Sequence, residues 1–301
     1  MLSMKAATNC QELVNRSSLH WVLSGLLLGL GCSTSDDDAA HDSGLSHVHG
    51  LGVNPGDGKL YAASHHGVFR IEAESAIRQG DLLQDTMGFT IVGSDRFIAS
   101  GHPDPSNDRL LQPGMRPLLG LIESTDRGVS WHSLSLLGEV DFHALAYAHD
   151  RVYGFDATNH RFMVSADMKQ WETRSEVSLS SFAVSPTNAE RVVGSLADQS
   201  IVQSSDGGRS WQAISGGAPL ALVCWHSARG LWGIDSNGAA FRGADDGSTW
   251  KRAGSVPGVP AALFVEAQGL FVATTDAIYT STDDLSTWTR IYPRPAAPSS
   301  P

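Results

Sequence analysis

After residue 45 the chain reads as short stretches of alternating apolar and polar residues, parted by turn-forming segments. Period-two alternation of this kind predicts β-strands, and a 3.6-residue period is absent outside the first thirty or so residues. The stretches recur in a fixed order. Small and apolar residues come first, at 142–148, 181–185, 221–225 and 261–265. A second strand follows a turn, at 151–155, 191–195, 230–234 and 269–273. A third runs into a polar box, and a fourth follows a tryptophan.

The tryptophans give the period. Trp131, Trp171, Trp211, Trp250 and Trp288 stand 40, 40, 39 and 38 residues apart. Each closes a segment with an aspartate at its centre: Asp126, Asp167, Asp206, Asp245 or Asp283. Four segments follow the pattern Ser/Gly-x-Asp, often with a Gly two residues later; the one around Asp167 is a residue shorter and lacks the Gly. Asp and Ser side chains bond nearby backbone N–H groups and Gly accepts positive φ, so the segment suits a hairpin turn. The Trp then packs as the next strand begins. Four antiparallel strands per repeat predict a propeller blade. Two more blades precede Trp131, one over 85–134 and one starting at 46 without a box. The expected fold class is all-β, a six-bladed β-propeller with Asp-box turns over 46–292. Its last strand, near 287–292, should be the outer strand of blade six, with the ring closed by packing of blade one on blade six.

The box resembles the Asp-box (BNR) repeat of sialidase-like propellers, over residues 124–288. That resemblance implies that Asp126, Asp167, Asp206, Asp245 and Asp283 are structural turn residues rather than catalytic ones.

Composition narrows the partners. The formal charge of −11 argues against nucleic acid and anionic membrane surfaces, which select Lys/Arg patches. Of three cysteines, Cys10 and Cys32 lie near the N-terminus, so no disulfide framework is expected and Cys224 reads as a small buried hydrophobe. Residues 1–31 carry Lys5 and Arg16 ahead of a short apolar run ending at Gly31. This resembles a bacterial lipoprotein signal, which implies acylation at Cys32, a polar tether over 32–45, and membrane contact through that lipid alone. The pattern wants an aliphatic residue where Gly29 stands, and an ordinary secretory signal is the alternative. Residues 293–301, rich in Pro and Ser, are expected to be disordered. The expected protein is thus an exported monomer, lipid-anchored to the cell envelope.

Propeller geometry sorts the histidines. If the Asp boxes lie at the bottom, the loops entering each first strand and those joining second to third strands lie at the top. His47, His49, His65, His66, His102 and His143 all map there, on three adjacent blades, with Asp85 and Asp141 beside them. His47 and His49, two residues apart on a strand, should point to one side. Imidazole binds Zn or Cu, and carboxylates complete the shell or orient the rings. Any one of these histidines could equally serve only to satisfy polar groups in its loop. The segments around them (His47-Val-His-Gly-Leu51, His65-His-Gly67, Met87-Gly-Phe89, Ser100-Gly-His-Pro103, Asp141-Phe-His143) resemble bacterial propeller lipoproteins usually labelled glycosyl hydrolases. Sialidase chemistry, which takes three arginines and a Tyr–Glu pair, finds no such set on the top loops. Three readings stay open: a His/Asp pocket for a transition metal or small ligand, a glycoside hydrolase with Asp85 and Asp141 as its acid/base pair, or a protein-binding scaffold.

Overall fold

A computed structural model describes residues 45–72, 75–107 and 109–293. The segment 1–31, Cys32, nearly all of the tether and all but the first residue of the tail lie outside the described residues.

The described chain is all-β, with twenty-four strands in six antiparallel sheets of four, each sheet following chain order. Blade one comprises β1 (Val48–Val53), β2 (Leu60–Ser64), β3 (Gly67–Glu72) and β4 (Ser75–Arg78). Blade two has β5 (Asp85–Gly93), β6 (Arg96–His102), β7 (Leu121–Ser124) and β8 (His132–Ser135). Blade three has β9 (Phe142–Ala148), β10 (Arg151–Asp156), β11 (Arg161–Ser165) and β12 (Glu172–Glu176). Blade four has β13 (Leu179–Val184), β14 (Val192–Leu196), β15 (Ile201–Ser204) and β16 (Gln212–Ala213). Blade five has β17 (Leu222–His226), β18 (Gly230–Ile234), β19 (Ala239–Gly243) and β20 (Trp250–Ser255). Blade six has β21 (Pro260–Glu266), β22 (Gly269–Thr274), β23 (Ala277–Ser281) and β24 (Thr289–Pro293). This is the six-bladed propeller the repeats predict, and no strand is shared between the first and last blades.

The core consists of six apolar clusters, one between each pair of neighbouring blades. Strand alternation feeds both seams of a blade at once. Val152 enters the seam with blade two, while its neighbour Tyr153 enters the seam with blade four. Each box tryptophan packs into the seam with the preceding blade: Trp131 with blade one, Trp171 with two, Trp211 with three, Trp250 with four and Trp288 with five. The seam between blades six and one has no such tryptophan. Leu45, Ile291 and Tyr292 fill it together with Phe69, Ala262 and Ile278.

The boxes make the expected turns in most blades. Asp206 Oδ1 accepts from Ser204 Oγ (2.8 Å), Arg209 N (3.0 Å) and Ser210 N (2.9 Å), and Oδ2 accepts from Ser210 Oγ (2.6 Å). Asp126 and Asp283 hold their turns in the same manner, and Asp167 does so in its shorter one. Blade five differs. Gly243 stands where the other boxes have Ser, and Asp246 rather than Asp245 accepts the Ser248 N–H (3.0 Å) and hydroxyl (2.6 Å). The assignment of Asp245 as the turn carboxylate is corrected to Asp246: without the serine hydroxyl to receive it, the Asp245 side chain has no anchor.

Candidate functional site

A channel of about 820 Å³ runs down the propeller axis, walled by the innermost strands β1, β5, β9, β13, β17 and β21. Its walls are mostly small and apolar, with Gly52, Ala146, Ala183 and Ala262 among them. Cys224 sits half-buried on this wall, where burial pushes its thiol up to about 11 and keeps it protonated at neutral pH.

At one mouth of the channel lies a cluster of imidazoles and carboxylates. The His65 Nδ1–H donates to Asp85 Oδ1 at 2.9 Å, His49 Nε2 lies 3.4 Å from His65 Nδ1, and His49 Nε2 lies 3.6 Å from Asp85 Oδ1. Three ligand atoms thus form a triangle close to the size a metal requires, since tetrahedral bonds of about 2.0–2.1 Å put ligand atoms about 3.3 Å apart. Among the described residues this is the one group of three or more His, Cys, Asp or Glu whose ligand atoms cluster so tightly.

The remaining predicted residues surround it unequally. His102 bridges the two acids, with Nδ1 3.7 Å from Asp85 Oδ2 and Nε2 3.5 Å from Asp141 Oδ2. His143 Nε2 donates to Asp141 Oδ2 at 2.8 Å. Asp141 is buried, and its Oδ1 has no hydrogen-bond partner. His47 stacks on His65 with ring centroids 5.3 Å apart and lies 4.8 Å from the His49 ring. His66 turns away and bonds Ser46 through Nδ1 (3.3 Å). Of the other top-loop acids, Asp104 accepts bonds from Leu83 N and Ser106, and Asp156 is fully buried against Arg161 at 2.8 Å. Both are structural.

Simple strand alternation is not what unites His47 with His49. His47 precedes β1 with φ at +40°, a left-handed value uncommon outside glycine. The β1–β2 register then jumps from Val48↔Ser64 to Gly50↔Ala63, leaving His49 as a bulge residue. The same irregularity recurs at the same height in four other innermost strands. Met87 is skipped in β5, His143 in β9, Ser180 in β13 and Ala261 in β21, while β17 runs without a break. In each of the five strands the bulged residue is also the first to line the channel. Bulges re-aim side chains, and here they set a ring of His, Met, His, Ser and Ala around the mouth. Sequence reasoning missed Met87, although its place in the Met87-Gly88-Phe89 segment, matching His49-Gly50-Leu51, could have flagged it.

Two glycines permit close backbone approaches, Gly88 between blades two and three and Gly101 between β5 and β6 inside blade two. A Cβ on Gly88 would lie 2.3 Å from the Phe142 carbonyl oxygen, and one on Gly101, where φ is +139°, would lie 2.0 Å from the Asp85 oxygen.

The electrostatics favour a neutral imidazole beside an ionised carboxylate. His49 is lowered to about 4, first by burial and then by the charges of His65 and His47. For Asp85, burial acts upward but is outweighed by the nearby His102 imidazole and by the hydrogen bond from His65, and the carboxyl ends at about 2. His102 is raised, chiefly by the Asp85 carboxylate beside it.

No protein-family model and no curated sequence matches the chain, and the resemblance to Asp-box proteins is one of repeat residues alone. Solved structures do match. A gluconolactonase from Xanthomonas campestris superposes with TM-score 0.60 at 14% identity, over 76% of this chain and 83% of that one. A chain of the nidogen/laminin complex gives 0.59 at 12%, over 78% and 93%. A GH74 xyloglucanase from Xanthomonas campestris gives 0.54 at 16%, over 81% of this chain but 45% of the other. At such identities the likeness establishes the propeller fold and leaves function to the site.

Proposed function

We propose that this propeller binds one divalent transition-metal ion, Zn²⁺ or Cu²⁺, through His49, His65 and Asp85 at the channel mouth. The observation that carries the reading is the triangle of ligand atoms with sides of 2.9, 3.4 and 3.6 Å. Two imidazoles and a carboxylate are a borderline donor set suited to these ions. His102, with Nδ1 3.7 Å from Asp85 Oδ2, would help to orient that ligand through its charge, a role outer-shell partners commonly take. Three protein ligands would leave a further coordination position for water or a substrate.

The glycoside-hydrolase alternative with Asp85 and Asp141 fares less well. One of its two carboxyls must be protonated at working pH, and Asp85 is held at about 2. Asp141 is 4% exposed behind His102 and His143, which would stand between it and a sugar. We also retain the exported, Cys32-anchored state as part of this proposal; Cys32→Ala should move the protein from membranes to the soluble fraction.

Calorimetric titration of chelator-treated protein tests the metal reading. Wild type should take up one equivalent of Zn²⁺ or Cu²⁺ with micromolar or tighter affinity. The His49→Ala/His65→Ala variant should bind at least a hundredfold more weakly. Equal, weak binding by both would refute the site.

A further inference from the structure

The ring of bulge residues carries a second set of donors. His49, Met87 and His143 occupy the same bulge position in β1, β5 and β9, and all three line one channel mouth. Blade two lies between blades one and three, so the thioether stands between the two imidazoles around the ring. His143 is near enough to His49 for its charge to act on it. Met87 is half-buried at the mouth rather than packed among the residues of the blade seams.

A bulge spends a backbone irregularity to aim one side chain. Where only a wall is needed the ring has Ser180 and Ala261. Blades one to three place His, Met and His instead. Met87 follows Asp85 by two residues, so the strand that supplies the hard ligand of the first set also supplies this soft one. Thioether sulfur is a weak ligand for Zn²⁺ and Cu²⁺ but a good one for Cu⁺, and imidazole serves all three.

We propose that His49, Met87 and His143 form a Cu⁺ site at the channel mouth, sharing His49 with the divalent set His49, His65 and Asp85. This rests on the metal-binding reading above and adds the ion's oxidation state and a ligand outside that reading. One imidazole common to both sets means that the two sites fill in alternation. A protein loaded with Zn²⁺ must release it, or shift it off His49, to take Cu⁺.

Anaerobic titration with Cu⁺ against bicinchoninate, a chromogenic Cu⁺ chelator, tests the proposal, with Zn²⁺ calorimetry run in parallel on the same preparations. Wild type should draw one equivalent of Cu⁺ from the chelator. Met87→Leu, close in volume to the original, should bind Cu⁺ at least tenfold more weakly while its Zn²⁺ affinity stays within about twofold. X-ray absorption of the Cu⁺-loaded wild type needs no variant and should show a sulfur scatterer. Unchanged Cu⁺ affinity in Met87→Leu, or copper bound by nitrogen and oxygen alone, would overturn the proposal while leaving Zn²⁺ binding intact. Failure of wild type to bind either ion would instead remove the metal-binding reading and this one with it.

Discussion

At His49, burial and the charges of His65, His47 and His143 act against protonation, and Asp85 acts for it. The outcome is a folded value of about 4 against an ordinary 6.5. Between those two pH values the unfolded chain binds a proton here that the folded chain does not, so stability rises with pH across the window. Metal-free wild type should therefore lose stability as pH falls from about 6.5 toward 4, by up to about 3 kcal/mol from this residue. His49→Gln should flatten that slope, and urea unfolding at half-unit pH steps would show it; superimposable profiles would contradict the assignment. Asp85, depressed to about 2, adds a loss only below its ordinary 3.8. His102 has the opposite sign: its raised value contributes stability below 6.5 that is lost as pH climbs through the folded value. The identities of these residues could be read from the sequence. Their unequal roles could not, because His66 and His65 are neighbours in the chain yet one bonds Ser46 and the other Asp85.

Among the elements, the Asp-box turns and the bulges contrast in legibility. A turn is local chemistry, and its Ser, Asp and Gly announce it. Asp206→Ala removes an acceptor shared by four donors and should destabilise by about 1–2 kcal/mol. Asp245→Ala should leave the melting temperature unchanged and Asp246→Ala should lower it, because the blade-five turn bonds the second aspartate. The tryptophans show how strand length matters. Trp171 and Trp211 donate Nε1–H to Ser135 and Ser175 on the preceding blade. Trp250 Nε1 is buried with no partner, since β16 stops at Ala213, short of the corresponding Ser215. The bulges depend on register between strands distant from any marker residue. Gly88→Ala tests how tightly β5 and β9 must approach. Its new Cβ would meet the Phe142 oxygen at 2.3 Å, so the variant should be destabilised and should lose metal affinity together, measured by thermal unfolding and calorimetry.

On the scale of the whole molecule, closure is the exposed point. Five seams carry a box tryptophan, and the sixth joins the chain's first and last blades with neither a tryptophan nor a shared strand. Tyr292 is buried at 5% exposure in that seam. Tyr292→Ala should therefore cost about 3–5 kcal/mol, by analogy with large aromatic truncations, and should raise protease sensitivity at both ends of the propeller. An equal effect from a matched outer-strand residue such as Ile77→Ala, which is 41% exposed, would contradict the special weight of this seam. Metal at a hundredfold over its dissociation constant should add about 2.7 kcal/mol to wild type and nothing to His49→Ala/His65→Ala.

The amino-acid sequence by itself determined the strand period, the turn chemistry, the number of blades and the side of the ring on which the histidines fall. Each of these is fixed by interactions within about forty residues: alternation within a strand, Asp and Ser bonding nearby N–H groups, and a tryptophan at each repeat. Only the tertiary structure decided which histidines meet. His49 and His65 reach Asp85 across a blade seam, His102 spans Asp85 and Asp141, and Met87 lines the same mouth as His49 and His143. Those juxtapositions come from a left-handed residue at His47, from bulges that shift register by one residue, and from glycines that let strands of different blades touch. A one-residue shift exchanges the two faces of a strand, and it leaves no periodic trace in the residues that undergo it.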